Sequence, residues 1–513
     1  MRFAFLSGLV GVSVLASGAS AATLQVGPTR TYKNLGAVVS VVKPGDVVEV
    51  DGGATYPSVH FTVPGTAAAK ITIRGIPVAG KRPIISGGNN AIEAQGDHYV
   101  FEGLEITGGT SRCFYHHADD ITLRDSVVHD CPKQGILGAD NDSGSLLLEY
   151  CEVYKCGGGT QDHQIYMATD ESTHPGAVFR MQFCYVHDAN GGNNVKSRAE
   201  RNEIFYNWLE GALYHELELI GPDPSGGVAE GLKREDSDVV GNVLVKVADF
   251  SFVRTGGDGT GQSNGRYRFM NNTFIGAGPG STAFRIFDGI DAIEMHDNVF
   301  FRAGGTFNLT RTVEAKWVAG AQIAGQNNWI LTGMTAPTGW TGTITGADPG
   351  FTNAAARDFT PTATSPLVDK GTTTTTGAAG HAFPSPLPKP LFHPPRRKAI
   401  APGSAEPRPT IGAIDIGAFE YGVAPPDTGV PDGATSDTGP GADTGLVTDT
   451  GSVADGAPID DGAIADGGTD PAAPVDDAGG CGCRTPSGTT PGGATALGLL
   501  GLALTALRRR RGA

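Results

Sequence analysis

Apolar and polar residues alternate along this chain in short stretches that recur about 28 residues apart. The stretches read ITLRDSVVHDC, LLLEYCEVYKC, FRMQFCYVHDA, NEIFYNWLEGA, VVGNVLVKVAD, FMNNTFIGAGP and IEMHDNVFFRA. Each alternates and then breaks at Gly, Asp or Asn, which predicts a short strand and a turn. One column runs through them: Ser126, Cys151, Cys184, Asn207, Asn242, Asn272, Asn298 and Asn328, extending back to Gly103 and Gly75. Units at such a period stack, because none can bury its apolar face alone. No long 3.6-residue periodicity is present, so helical solenoids are excluded. The expected fold is all-β: a single right-handed parallel β-helix of about ten coils, about 45–50 Å long. An Asn repeated in one slot predicts an amide ladder along the stack.

The opening TYKNLGAVVSVVKPGDVVEVDGGATY resembles the cap and first coil of secreted β-helix proteins of the pectate-lyase type. DPGF at Asp348, SPLVDKG at Ser365 and DIGAFEY at Asp415 resemble the closing segment of bacterial surface β-helix proteins. The resemblance covers roughly residues 23–422 and implies architecture more than chemistry.

The two ends change the picture from enzyme to exported surface protein. Residues 1–21 read as a signal peptide, with Arg2, an apolar core and the small-residue site Ala19-Ser20-Ala21. The β-helix domain is assigned to 22–422. Residues 423–480 are expected to be a disordered Asp/Thr/Gly/Pro-rich linker. Twelve Asp lie between Pro425 and Gly480, so most of the formal net charge of −16 belongs to this stalk. Residues 481–513 carry Cys481-Gly482-Cys483, an apolar run from Ala494 to Leu507, and Arg508 to Arg511. That tail resembles the MYXO-CTERM sorting signal, which implies cutting near the Cys pair and lipid anchoring at the outer surface. The expected location is the cell surface, outer-membrane-anchored, or the medium. No basic stripe along the sequence points to nucleic acid, and capped β-helices are expected to stay monomeric.

Seven cysteines suit an exported chain. Cys131 and Cys156 occupy equivalent turn positions and are the better disulfide candidates, whereas Cys151 and Cys184 read as small buried residues and Cys113 has no evident partner. No zinc-like set is present.

Candidate chemistry clusters in three successive coils. Taking Ile136, Ile165, Val195 and Leu217 as inward, the flanking positions Gln164, Tyr166, Asn194, Lys196, Glu216 and Glu218 are expected to face outward. Arg198 follows on the same face, and His163 and His215 precede the strands. The flanking loops are long, and a linear polymer would fit between them. NNVKSRAERNEIFYNWLEGALYHELELIG resembles the catalytic coils of chondroitinase B and the alginate lyases of polysaccharide lyase family six. The resemblance implies a lysine base at Lys196 and carboxylates that bind calcium. The family's arginine after Leu-x-Leu is here Ile220, which leaves the second role to Arg198, Tyr166 or a histidine. The expected assignment is catalytic Lys196, Arg198, Tyr166, His163 and His215, with substrate at Gln164 and Arg285. Calcium is expected at Asn194, Glu216 and Glu218, where it would neutralise a uronate carboxylate during β-elimination. Bland readings stand beside these. Lys196 and Glu218 suit an ion pair between coils, Glu216 and Glu218 suit solvated strand positions, and His163 with Tyr166 suits ring packing. His129 and His187 suit stacked surface residues. No pair of aspartates of the glycosidase kind is evident. The two functions carried forward are a polysaccharide lyase and a non-catalytic glycan-binding or adhesive module.

Overall fold

The computed structural model describes residues 21–422, apart from 222–235, 258–262, 264, 288, 313–316, 318–319 and 379–384. The expected signal peptide (all but its last residue), linker and sorting tail lie outside the described residues. Among the described residues, no helix is long and apolar enough to cross a membrane.

Three parallel sheets wind into a right-handed β-helix. The first holds thirteen strands, from Thr23–Val26 to Trp340–Thr341, and the second twelve, from Thr55–Pro57 to Ile344–Gly346. The third holds ten, from Val59–Phe61 to Asn308–Thr312. Thirteen strands at a spacing of about 4.8 Å make a stack about 58 Å long. The rod is thus longer than the ten coils expected. The extra turns come from end strands such as Thr23–Val26 and Trp340–Thr341, which lie outside the recurring phrase.

The interior is a set of apolar columns. Val128, Val153, Val186 and Leu209 stack in the second sheet. Ile136, Ile165, Val195 and Leu217 stack in the third, inward as expected. The chain turns from the first sheet to the second through one residue with positive φ: Asp125, Tyr150, Phe183, Tyr206, Asn271, Asp297 or Asn327. The slot after it holds the ladder. Asn207, Asn242, Asn272 and Asn298 each donate from Nδ2 to the next Oδ1 at 3.0 Å. Each Nδ2 also reaches a main-chain carbonyl of the preceding coil. The glycines belong one position earlier. Gly103 aligns with the corner residue Asp125, and Leu104 fills the slot, its N–H donating to Ser126 Oγ.

The disulfide expectation is corrected. Cys113 pairs with Cys131, with Cα atoms 5.9 Å apart, while Cys151, Cys156 and Cys184 are free and buried. Cys113 lies in a third-sheet strand and Cys131 in the turn after the next second-sheet strand, so the bond ties neighbouring sheets across the interior. A comparison of equivalent turn positions cannot find such a pair.

The N-terminal phrase caps the stack through the short 3₁₀ helix Leu35–Ala37, with Leu35, Val38 and Val42 buried. The closing phrases do something different. The described parts of 351–378 and 385–422 lie along the rod's side, where Phe359, Leu367, Ile416, Ala418 and Phe419 cover Trp208, Val243, Val299 and Trp329 of the second sheet.

Candidate functional site

Register places one outward column on the third sheet: Tyr115, Leu137, Tyr166, Lys196, Glu218, Arg254, Arg285 and Arg311. Its first part is apolar, with Tyr115, Leu137 and Tyr166 packed together. Its middle is charged and buried. Lys196 Nζ lies over the Tyr166 ring, 4.9 Å from the centroid, and is level with Glu218. Arg198 Nε donates to the Tyr166 hydroxyl at 2.9 Å and its Nη1 to Gly221 O at 2.8 Å. Arg254 Nη1 lies 2.9 Å from Glu218 Oε1, and Asn193 Nδ2 donates to Glu218 Oε2. Burial opposes the charge on Glu218, but Arg254, Lys196 and the two histidines outweigh it and hold its carboxyl well below the usual range.

His163 and His215 flank this cluster. His163 meets Tyr166 edge to face at 5.6 Å. Its Nδ1 accepts the Asn193 N–H at 3.0 Å, which leaves the ring proton on Nε2. His215 Nδ1 faces Ser251 O at 3.0 Å and must donate, which leaves a lone pair on Nε2. Neither Nε2 has a hydrogen-bond partner among the described residues. Burial pushes His215 down to about 3 and His163 well below its ordinary value, so both rings are neutral at pH 7. The two imidazoles therefore offer opposite chemistry, a donor at His163 and an acceptor at His215.

Three residues expected to face outward do not. Gln164 Nε2 donates to Asn194 Oδ1 at 2.7 Å, and Asn194 Nδ2 donates to Glu216 Oε2 at 2.5 Å. All three are fully buried and form a second ladder in the turn between the second and third sheets. Glu216 Oε1 lies 3.5 Å from Lys246 Nζ, and Lys246 donates to Ala212 O at 2.8 Å. Burial raises Glu216 to about 7, against the pull of Lys246. The alternation rule fails here because these residues precede the strands and belong to the turn.

The donor set does not suit calcium. Asn194 and Glu216 are committed to each other and to Lys246, while Glu218, in a different column, is neutralised by Arg254. Among the described residues no three His, Cys, Asp or Glu converge on a metal position.

Arg285, expected to touch substrate, is half-buried, with its guanidinium 5.0 Å from the Phe287 ring centroid. The sequence reading missed Asn193, Lys246 and Arg254. Arg254, Arg285 and Arg311 recur once per repeat, so the signal was present in the spacing. His129, Tyr154 and His187 stack on the second sheet at 5.0 and 5.2 Å, away from this cluster.

No known protein family and no curated protein matches the chain. Among solved structures, pectate lyase Pel9A is 13% identical, with 79% of this chain and 97% of that one covered and a TM-score of 0.44. The alginate lyase from Paenibacillus sp. str. FPU-7 is 18% identical, with 63% and 99% covered and a TM-score of 0.37. The complex of XylC with xylose is 9% identical, with 64% and 87% covered and a TM-score of 0.44. At these values nothing about the chemistry of this chain is taken from them.

Proposed function

We propose that this is a surface-displayed, polysaccharide-active β-helix protein that cleaves a uronate-containing polymer by β-elimination. One observation carries the reading: cationic and neutral proton-transfer groups share one outward column, from Tyr166 through Lys196, Glu218 and Arg254 to Arg285, with His215 beside it. In β-elimination a base takes the proton next to the carboxylate. A carbon–carbon double bond forms, the glycosidic C–O bond breaks, and the leaving oxygen takes a proton. His215 Nε2 is assigned as the base, because its ring is neutral and its lone pair has no partner among the described residues. Lys196, which the sequence suggested for that role, lies against the Tyr166 ring and beside Glu218, a setting for a cation that neutralises the carboxylate. Tyr166 returns the proton, and the phenolate it leaves is stabilised by Arg198 Nε. No step uses calcium.

The test is the ultraviolet absorbance of the unsaturated uronate on polygalacturonate, alginate, chondroitin and hyaluronan. We expect a rise on one polymer that persists in chelator and falls at least about 100-fold in His215→Gln. A rise that survives intact in both His215→Gln and Lys196→Ala would overturn the assignment. The burial and pairing of Lys196, Arg198 and Glu218 favour a second reading, a non-catalytic glycan-binding module. No product on any polymer from the folded protein would select it. Export and anchoring are part of the same proposal, supported by the signal-like residues 1–21 and the Cys, apolar and Arg tail of 481–513, and protease shaving of intact cells tests them.

A further inference from the structure

The charged side chains on the first and third sheets are arranged differently. On the first, arginines meet acids of neighbouring coils: Arg74 with Glu102, Arg180 with Glu203, Arg266 with Asp236, and Arg268 with Asp238. Each of these arginines has an acid within ion-pair distance, even where Glu203 and Asp238 adjoin. On the third sheet Arg254, Arg285 and Arg311 follow one another in strict register, arginine on arginine. Like charges in directly opposed positions repel. Glu218 offsets one end of the row through Arg254. Arg285 forms no hydrogen bond or ion pair with the described residues, and its Nε is buried without a partner. It lies over the Phe287 ring, which Arg254 also covers at 4.1 Å. The shared ring holds two guanidiniums side by side. A half-buried guanidinium with no anion among the described residues, next to a second cation, is a site arranged for an anion supplied from outside.

We infer that Arg285, with Arg254 beside it on the Phe287 ring, forms a clamp for a carboxylate of a polyuronate whose chain runs along the rod axis, crossing one coil after another. The inference rests on the proposed polysaccharide ligand and deepens it. The substrate must carry a carboxylate, and the clamp does the neutralising work for which a calcium ion was expected. Planar guanidiniums match the two oxygens of a carboxylate, and the row continues the column that holds Lys196 and Tyr166, so a bound chain would reach the proton-transfer groups.

The test is binding, read separately from turnover. The full-length protein is run through gels containing polygalacturonate, alginate, dextran sulfate or neutral dextran, and the same samples are assayed for unsaturated product. We expect retardation by a polyuronate and none by dextran, weakening as salt is raised. Arg285→Gln should lose about tenfold in affinity and Arg285→Lys should recover part of it. Arg180→Gln, on the first sheet, should bind as the parent does. Equal retardation of parent and Arg285→Gln, retardation by dextran, retardation by dextran sulfate alone, or none by any polymer would overturn the clamp. Arg285-dependent binding without product would keep the clamp and reject the lyase. Product formation with an unchanged KM in Arg285→Gln would do the reverse.

Discussion

At the scale of single residues, the ladder after the first-sheet turn shows how much one side chain can hold. Asn272 Oδ1 accepts from the Asn242 main-chain N–H at 2.9 Å and from Asn242 Nδ2 at 3.0 Å. Its own Nδ2 donates to Val239 O at 2.8 Å and to Asn298 Oδ1 at 3.0 Å. Asn272→Ala strands a buried N–H, a carbonyl and two amides. Each unmet buried group costs about 1–3 kcal/mol, so at least about 4 kcal/mol is expected in total, read as a lower denaturant midpoint with unchanged slope. A loss below about 1 kcal/mol would mean that the neighbours re-pair. The same slot holds Ser126, Cys151 and Cys184 in earlier coils. The corner column beside it takes glycine at Gly103, which lies against Gly75, where an added Cβ would meet Gly103 O at 2.1 Å.

At the scale of the strand and turn, legibility follows repetition. The inward columns were readable because Ile165, Val195 and Leu217 recur once per coil, each preceded by a polar residue, Gln164, Asn194 or Glu216. The Cys113–Cys131 bond was not, since it joins two different sheets and no column contains both residues. Glu216 was misplaced because a two-residue period holds only inside a strand, and the turn before it points its side chain into the ladder with Asn194. His116 shows a further consequence of the interior columns. It sits level with Gly138, fully buried, and burial lowers it to about 4. Below its ordinary 6.5 the unfolded chain takes up a proton that the folded ring refuses. The contribution of His116 is therefore complete above pH 6.5 and is lost as the pH falls toward 4. At about 1.4 kcal/mol per pH unit this is about 3 kcal/mol. Glu216 and Asp297, both raised to about 7 by burial, work in the opposite sense between pH 7 and 4.5. The diagnostic is thus the difference between parent and His116→Met. Urea midpoints should converge with acidification, and a constant gap from pH 7 to 4 would show that His116 is not held neutral.

At the scale of the whole molecule, stability depends on the C-terminal segment lying along the second sheet. In later coils the outward column of that sheet is Trp208, Val243, Val299 and Trp329, all buried under Ile416, Ala418 and Phe419. A sheet with such a face cannot stand in water uncovered. The cover is fastened by main-chain and polar contacts: Gly417 N donates to Asp297 O at 2.8 Å, Ala418 N to Thr273 Oγ1 at 3.0 Å, and Asn271 Nδ2 to Asp415 O at 2.8 Å. Arg408 organises the segment from within. Its Nε donates to Glu420 Oε2, and its Nη1 and Nη2 donate to Gly417 O and Asp415 O, each at 2.9 Å. Arg408→Ala leaves Glu420 buried without its cation and takes one donor from each of two carbonyls that Asn271 also serves. Breaking a buried pair from one side costs about 3–5 kcal/mol. Because the segment contributes none of the third sheet, that cost should appear as its separate release. In native-state hydrogen exchange, amides of 408–420 should lose protection while Val195 and Leu217 keep theirs. The freed column should then make the variant self-associate on concentration. Uniform loss of protection in both regions would instead mean that the cover and the rod unfold as one cooperative unit.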